Sequence, residues 1–251
     1  MMETVRRSSP GALPLLSVVV PALNERRALA ALIGSLEAQV GAGPLELILA
    51  DGGSVDGTVE RFRDLTGGWR DGDRRARVVP VGRAGRALQM NAGAAAAAGD
   101  ILIFLHADTE LPGGGLASVR RALDDARVVG GGFRHRFREP GTLLRLVSLW
   151  ATIRSRLTGI HYGDQALFVR RAVFERLRGF PEVDLFEDLR FSRRLRRAGR
   201  VVTLRLAAST SARRFLRGGV LRTACGMAWL RTRHLFGTTS GRLRGRYPDV
   251  R

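Results

Sequence analysis

Two apolar runs stop abruptly at a carboxylate, residues 45–50 at Asp51 and residues 101–105 just ahead of Asp108. Acidic oxygens delivered by buried strands to one sheet edge suit a nucleotide and a hard cation, because ligands of open α/β sheets bind outside the carboxyl ends of the strands. Asp51 opens Asp-Gly-Gly-Ser-Val-Asp-Gly-Thr over residues 51–58. Its glycines, Gly53 among them, admit close backbone approach to a flat ligand, and Asp51 can accept hydrogen bonds from a base or a ribose. A polar strand-to-helix turn would also explain these residues, and for Asp56 an Asx turn or cap is the better explanation. Asp108 can give an anionic oxygen to Mg²⁺ or Mn²⁺, with phosphate oxygens and water as the other ligands. His106 lies on the same strand face, placed to touch a nucleotide or a metal-bound water; a hydrogen-bonded structural histidine is the equal alternative. Pro21, Asn24 and Glu25 stand between a strand and a helical pattern, where free N–H groups attract an anion, or where they form only a cap and a solvated acid.

The elements that must carry these groups follow from periodicity. Residues 15–20 and 45–50 read as buried strands, and Leu29, Leu32, Ile33 and Leu36 as one helical face. Residues 58–65 read as a second helix, 77–81 as a third strand, 82–98 as a loop and an alanine-rich helix, and 101–105 as a fourth strand. This alternation predicts an α/β fold with a parallel sheet covered on both faces and right-handed crossovers. Helices are expected near 115–125, 142–157, 187–198 and 219–236, and strands near 130–137, 165–170 and 201–206. Residues 1–251 read as a single domain: 15–110 a nucleotide-binding half, 111–215 elements for a second substrate, and 216–251 a basic amphipathic tail.

Composition narrows the classes. The chain has 251 residues, is 45% hydrophobic and carries a net charge of +19, and every basic side chain is an arginine. Without lysine, a Walker-type phosphate loop and a pyridoxal Schiff base are both excluded. Residues 190–251 hold seventeen arginines against one acid, Asp249, so this third is built to face anions. The single cysteine, Cys225, forms no intrachain disulfide and fits the cytoplasm or the inner face of a membrane. Residues 1–10 lack the apolar core of a secretory signal, and arginine interrupts the longest apolar stretches.

Taken together, Pro-x-x-Asn-Glu at 21–25, the 51–58 motif, Gly-Arg-Ala-Leu-Gln-Met-Asn-Ala-Gly at 85–93 and Phe-Leu-His-Ala-Asp at 104–108 resemble the family 2 glycosyltransferases of GT-A fold. The likeness continues through Gly-Asp-Gln-Ala-Leu-Phe-Val-Arg-Arg at 163–171, Gly-Phe-Pro at 179–181 and Glu187-Asp188, and so runs from residue 15 to about residue 219. It implies a predominantly parallel, Rossmann-like sheet flanked by helices, with a basic helical carboxyl-terminal segment. It also implies transfer of a sugar from a nucleotide-sugar donor to an acceptor hydroxyl or carboxylate. The resemblance gives Asp51 the nucleotide base, Asp108 a divalent cation (Mn²⁺ or Mg²⁺) and Asp188 the role of catalytic base, with Glu187 in support. Arg86, Asn91, Arg213 and Arg214 fall to the donor, and Asp164 and Gln165 to the acceptor. His106 replaces the first acid of the family's usual Asp-x-Asp. A single displacement inverts the anomeric carbon and needs no covalent intermediate.

Each role has a plainer competitor: acids favour a first helical turn, exposed arginines are usually solvated, and Asp164 and Gln165 could cap a strand. More narrowly, His-Ala-Asp-Thr, Ser-Arg-Leu-Thr-Gly, Gly-Asp-Gln-Ala and Ser-Ala-Arg-Arg-Phe resemble a bacterial subgroup associated with radical-SAM/selenodomain proteins and arsenosugar biosynthesis. The broader group includes enzymes acting on carotenoid acids, so both small-molecule and lipid acceptors stay open. Trp229, Leu230, Leu235 and Phe236 among arginines would suit peripheral membrane contact or burial in the domain. A nucleic-acid binder is a rival on charge alone, but aromatics are only 6% and sit in apolar patterns, so no nucleic-acid partner is expected. A nucleotidyltransferase is a second rival, and its glycine-rich, lysine-bearing start is missing.

Overall fold

The computed structural model describes residues 13–41, 43–69, 73–183 and 185–235; residues 1–12 and everything beyond 235, Phe236 included, lie outside them. The first half repeats one unit. Strand β1 (Leu16–Ala22) leads to helix α1 (Leu29–Glu37), β2 (Leu45–Asp51) to α2 (Thr58–Leu65), and β3 (Arg74–Pro80) to α3 (Arg86–Ala96), which returns to β4 (Ile101–Phe104). These four strands are parallel, in the order β3-β2-β1-β4, with Leu16 opposite both Leu45 and Ile101.

Strand alternation divides the core. Val18 and Val20 of β1 and Leu47 and Leu49 of β2 turn to one face, where α1 and α2 bury Leu32, Ile33 and Phe62; Val19 and Ile48 turn to the other, against Ala87, Met90 and Ala94 of α3. All seven positions of β1 and of β2 are buried, as expected of strands covered on both sides.

The second half departs from the parallel expectation. It contains β5 (Thr109–Glu110), α4 (Gly115–Leu123), β6 (Val128–Phe137), α5 (Thr142–Thr158), a 3₁₀ turn (Gly163–Gln165), β7 (Leu167–Arg170) and α6 (Arg171–Arg176). After these come α7 (Glu187–Ala198), β8 (Arg200–Thr210), α8 (Arg213–Gly218) and α9 (Val220–Leu235). Together the strands make one eight-stranded mixed sheet, β3-β2-β1-β4-β7-β6-β8-β5. β7 runs antiparallel to both β4 and β6, and β5 antiparallel to β8. Strand direction is set by pairings such as Phe104 with Leu167, which no local pattern announces. Gly131 of β6 lies so close to the Val202 carbonyl and the Phe168 ring that a Cβ there would collide with both.

Candidate active site

The carboxyl ends of β1 and β4 open into a cleft of about 880 Å³. Its floor is Pro21, Ala22, Glu25 and the segment 83–89; His106 and Asp108 rise from the end of β4, and Glu187 and Asp188 from the start of α7. Tyr162, Gly163 and Asp164 form one wall, and Arg213, Arg214, Phe215, Met227 and Arg231 another.

Each group is held from below. α7 begins at Phe186 in the left-handed region (φ 66°), which turns the chain so that Glu187 and Asp188 enter the first helical turn. Asp188 Oδ2 accepts the Gly163 N–H at 2.9 Å, and its Oδ1 accepts the Leu189 N–H at 2.7 Å. Gly163 also meets the His106 ring: a Cβ at this position would fall inside contact distance of His106 Nε2. Gly163→Ala is therefore expected to cost about 1–3 kcal/mol by overpacking, read by denaturant unfolding. His106 collects the field of the whole site. Burial holds its imidazole below the ordinary range, with Arg86 adding to this and Asp108, Asp164 and Asp188 opposing it, so all three acids lie around one neutral ring.

On the other wall, Arg213 bridges two acids. Its guanidinium donates to both Glu25 oxygens at 2.7 and 3.1 Å and lies 3.4 Å from Asp108 Oδ2. The Glu25 hydrogen bond, with Glu25 and Asp108 charges behind it, raises the Arg213 pKa further. Asp164 faces buried His135 at 3.5 Å. Burial pushes the Asp164 carboxyl up, but His135, His106, Arg154 and Arg231 outweigh this and leave it below its usual value.

Glu187 is buried, with Oε1 lacking a hydrogen-bond partner and Arg86 Nε 3.6 Å away. Burial raises its carboxyl to about 7, opposed by Arg86 and reinforced by Asp188. A raised folded pKa means the native state favours the protonated acid, so this contribution to stability is full below pH ~4 and lost as pH rises through about 7. Glu187→Gln, neutral throughout, is expected to gain on the order of 2 kcal/mol over wild type at pH 8 and almost nothing at pH 4. Thermal melts at the two pH values check this; a variant less stable at pH 8 would show that Arg86 already compensates the charge.

Several residues assigned to ligands from the sequence have other positions. Asp51 turns its carboxylate into its own loop, accepting the N–H groups of Gly53 at 3.0 Å and Ser54 at 3.1 Å, and neither Asp51 nor Gly53 lines the cleft. Asn24 (φ 57°) accepts from Val55 N–H at 2.9 Å, so that 21–25 is clamped to the 51–58 loop; α1 starts only at Leu29. Asp56 makes the local turn that the sequence favoured for it, accepting from the Thr58 N–H at 3.0 Å. Asn91 spends both amide atoms on the Phe180 backbone, each at 2.9 Å. Gln165 is fully buried, donating to the Phe133 carbonyl and Ser155 and accepting from Arg154. The cleft gathers Pro21, Glu25, Arg86, His106, Asp108, Asp164, Glu187, Asp188, Arg213 and Arg214 from the remaining assignments.

The sequence reading missed Tyr162 and Arg231. Arg154 of α5 lies 3.7 Å from the centre of the Tyr162 ring and Arg231 of α9 4.4 Å from it, a cation–aromatic stack at the cleft wall. The one local signal is that Tyr162 directly precedes the Gly163-Asp164-Gln165 motif.

Comparison with known proteins agrees with this architecture. The chain is similar to the undecaprenyl-phosphate 4-deoxy-4-formamido-L-arabinose transferase of Aeromonas hydrophila subsp. hydrophila, 31% identical over 163 residues, 62% of this chain and 48% of that protein. It thus spans about half the length of that curated relative. Among solved structures, the mannosyltransferase PcManGT from Pyrobaculum calidifontis, in complex with GDP-Man and Mn²⁺, matches with a TM-score of 0.69 at 20% identity, over 94% of this chain and 68% of that one. S. aureus TarS in complex with UDP-GlcNAc matches with a TM-score of 0.59 at 18% identity, over 78% of this chain and 58% of that one. These two establish the fold. The Glycosyl transferase family 2 profile covers residues 17–177, from the first residues of β1 through the cleft's Asp108 and Asp164 to the end of α6, and by that match the chain belongs to glycosyl transferase family 2.

Proposed function

We propose that this family 2 glycosyltransferase takes a nucleotide-sugar donor and moves the sugar, in one displacement with inversion, to a hydroxyl or carboxylate of an acceptor. The observation carrying this reading is the convergence of two acids on one cleft: Asp108 at the end of β4 and Asp188 at the head of α7 both line it with His106, and Gly163 packs on the His106 ring while its N–H holds Asp188. Asp188, fixed by two backbone N–H groups, takes the acceptor proton as the oxygen attacks the anomeric carbon. Arg213, Arg214 and Arg86 supply guanidinium forks to the departing diphosphate. Glu187, whose carboxyl is raised to about 7 by burial, hydrogen-bonds the acceptor beside Asp188.

A divalent cation fits Asp108. Among the described residues no group of three or more His, Cys, Asp or Glu forms a closed cage, and Asp108, at the end of β4, offers a partly exposed carboxylate to the cleft. One carboxylate completed by phosphate oxygens and water is the common arrangement for Mg²⁺ and Mn²⁺ at nucleotide sites. When bound, the cation neutralises charge on the leaving diphosphate. The Mn²⁺ in the PcManGT complex supports this reading.

For the acceptor, a lipid is favoured over the arsenosugar-type small molecule of the narrower resemblance, on the apolar side chains Phe137, Phe215 and Met227 in the cleft lining. The undecaprenyl phosphate in the name of the Aeromonas relative points the same way. Such an enzyme works at the inner face of the membrane. The test is thermal stabilisation by UDP-, GDP- and dTDP-sugars with and without Mn²⁺, followed by detection of released nucleoside diphosphate with polyprenyl-phosphate, carotenoid-acid and small polar acceptors. No stabilisation by any sugar nucleotide, or release of inorganic diphosphate in place of nucleoside diphosphate, would overturn the reading.

A further inference from the structure

Helix α5 is inverted relative to an ordinary surface helix. Its buried positions are Leu144, Ser148, Thr152 and Ser155, three of them hydroxyl-bearing, while Leu143, Leu146, Leu149, Trp150, Ile153 and Leu157 keep between 39% and 78% of their surface exposed. Positions 143, 146, 150, 153 and 157 follow helical spacing and form one continuous stripe. The inner face cannot be exchanged for the outer one, because its hydroxyls are in use: Thr152 Oγ1 accepts the His135 N–H, Ser148 Oγ accepts the Phe137 N–H, and Ser155 Oγ accepts from Gln165 Nε2. An apolar stripe this long on a soluble surface marks a contact.

Two observations identify what covers it. First, the border is cationic: Arg145 and Arg156 on α5, and Arg217, Arg222 and Arg233 on the neighbouring α8 and α9, are exposed, and residues 142–158 and 213–235 contain no acid. Leu216, Leu221 and Trp229 add exposed apolar side chains among those arginines. A second copy pairing through this face would set arginine against arginine, since a two-fold interface brings identical patches together. Second, the face continues into the cleft. Tyr162 and Asp164 follow α5 directly, α9 packs on α5, and Arg154 and Arg231 from those two helices meet over the Tyr162 ring. Among the described residues no helix is long and apolar enough to cross a membrane, and helices with an apolar stripe bordered by arginines are of the kind that lie in the plane of a membrane surface.

We propose that α5, with α8 and α9 beside it, docks on an anionic lipid surface, its apolar stripe at the headgroup–acyl boundary and its arginines on the lipid phosphates, and so presents the acceptor end of the cleft to the bilayer. The docking extends the sugar-transfer reading and rests on it only for what enters the cleft. Flotation of the full chain with vesicles of equal phosphatidylglycerol and phosphatidylcholine, against phosphatidylcholine alone, is the test. The wild type is expected to float with the anionic vesicles. Trp150→Glu with Leu157→Glu should weaken that binding by at least about tenfold, and Arg145→Gln with Arg156→Gln should remove the preference for anionic lipid. Melting temperature and donor-induced stabilisation should be unchanged in both variants. Absence of flotation by the wild type, flotation of Trp150→Glu with Leu157→Glu at wild-type strength, or a solution dimer split by that same pair would overturn the docking face. Loss of donor stabilisation in the wild type, with flotation intact, would instead strike the enzyme reading alone.

Discussion

Asp188→Asn is expected to lower turnover by about 10²–10⁴-fold, the range for removing a positioned general base, while sugar-nucleotide binding survives. The geometry makes this separation clean. Asp188 lines the cleft with each carboxylate oxygen held by a backbone N–H, Oδ2 by Gly163 and Oδ1 by Leu189, on the acceptor-side elements. The amide keeps one of those acceptors and sets an NH₂ against the other backbone N–H, at a cost of about 1–3 kcal/mol in stability. A melting curve with and without sugar nucleotide shows whether the variant is folded and still binds. Normal turnover in a folded Asp188→Asn protein would remove Asp188 from the chemistry.

Asp108→Ala should abolish the part of donor affinity that depends on Mn²⁺. In the wild type a saturating sugar nucleotide at about 100 times its Kd stabilises by about 2.7 kcal/mol, and the variant should show most of that loss only when the cation is present. Arg213 is the control. It bridges Glu25 and Asp108, so deleting Asp108 leaves its two bonds to Glu25 in place and the wall standing. Equal donor-induced shifts in wild type and variant, with and without Mn²⁺, would dismiss Asp108 as a cation ligand.

The first half of the fold was legible because its signals are local. Buried runs alternating with the Leu29, Leu32, Ile33, Leu36 face specify parallel units, and residues 58–65 and 187–198 became helices with those bounds. The antiparallel β7, the two-residue β5 and the short α6 and α8 were not legible, since pairing and packing at long range decide them. At the site, the placement of Asp108, Glu187 and Asp188 in one cleft was legible because strand ends and helix starts are visible in sequence. The backbone bonds of Asp51 and Asn91 were not legible: a carboxylate accepting a glycine N–H two residues on, and an amide meeting a partner 89 residues away, are contacts that residue type does not disclose. Arg231 reaches Tyr162 only through the docking of α9, where Leu230 buries against Leu185.

Four phenylalanines have a last consequence. Phe104 at the tip of β4 stacks within 5.1 Å of Phe174 and 4.7 Å of Phe180, and Phe180 within 4.6 Å of Phe191 in α7. The strand bearing His106 and Asp108 is thereby braced to the helix bearing Glu187 and Asp188 by interlocked rings. The span between Asp108 and Asp188 is tied to packed apolar rings, a contact that salt does not screen. Thinning one ring of that brace, as in Phe180→Leu, is expected to disturb the spacing of the two carboxylates without touching either of them.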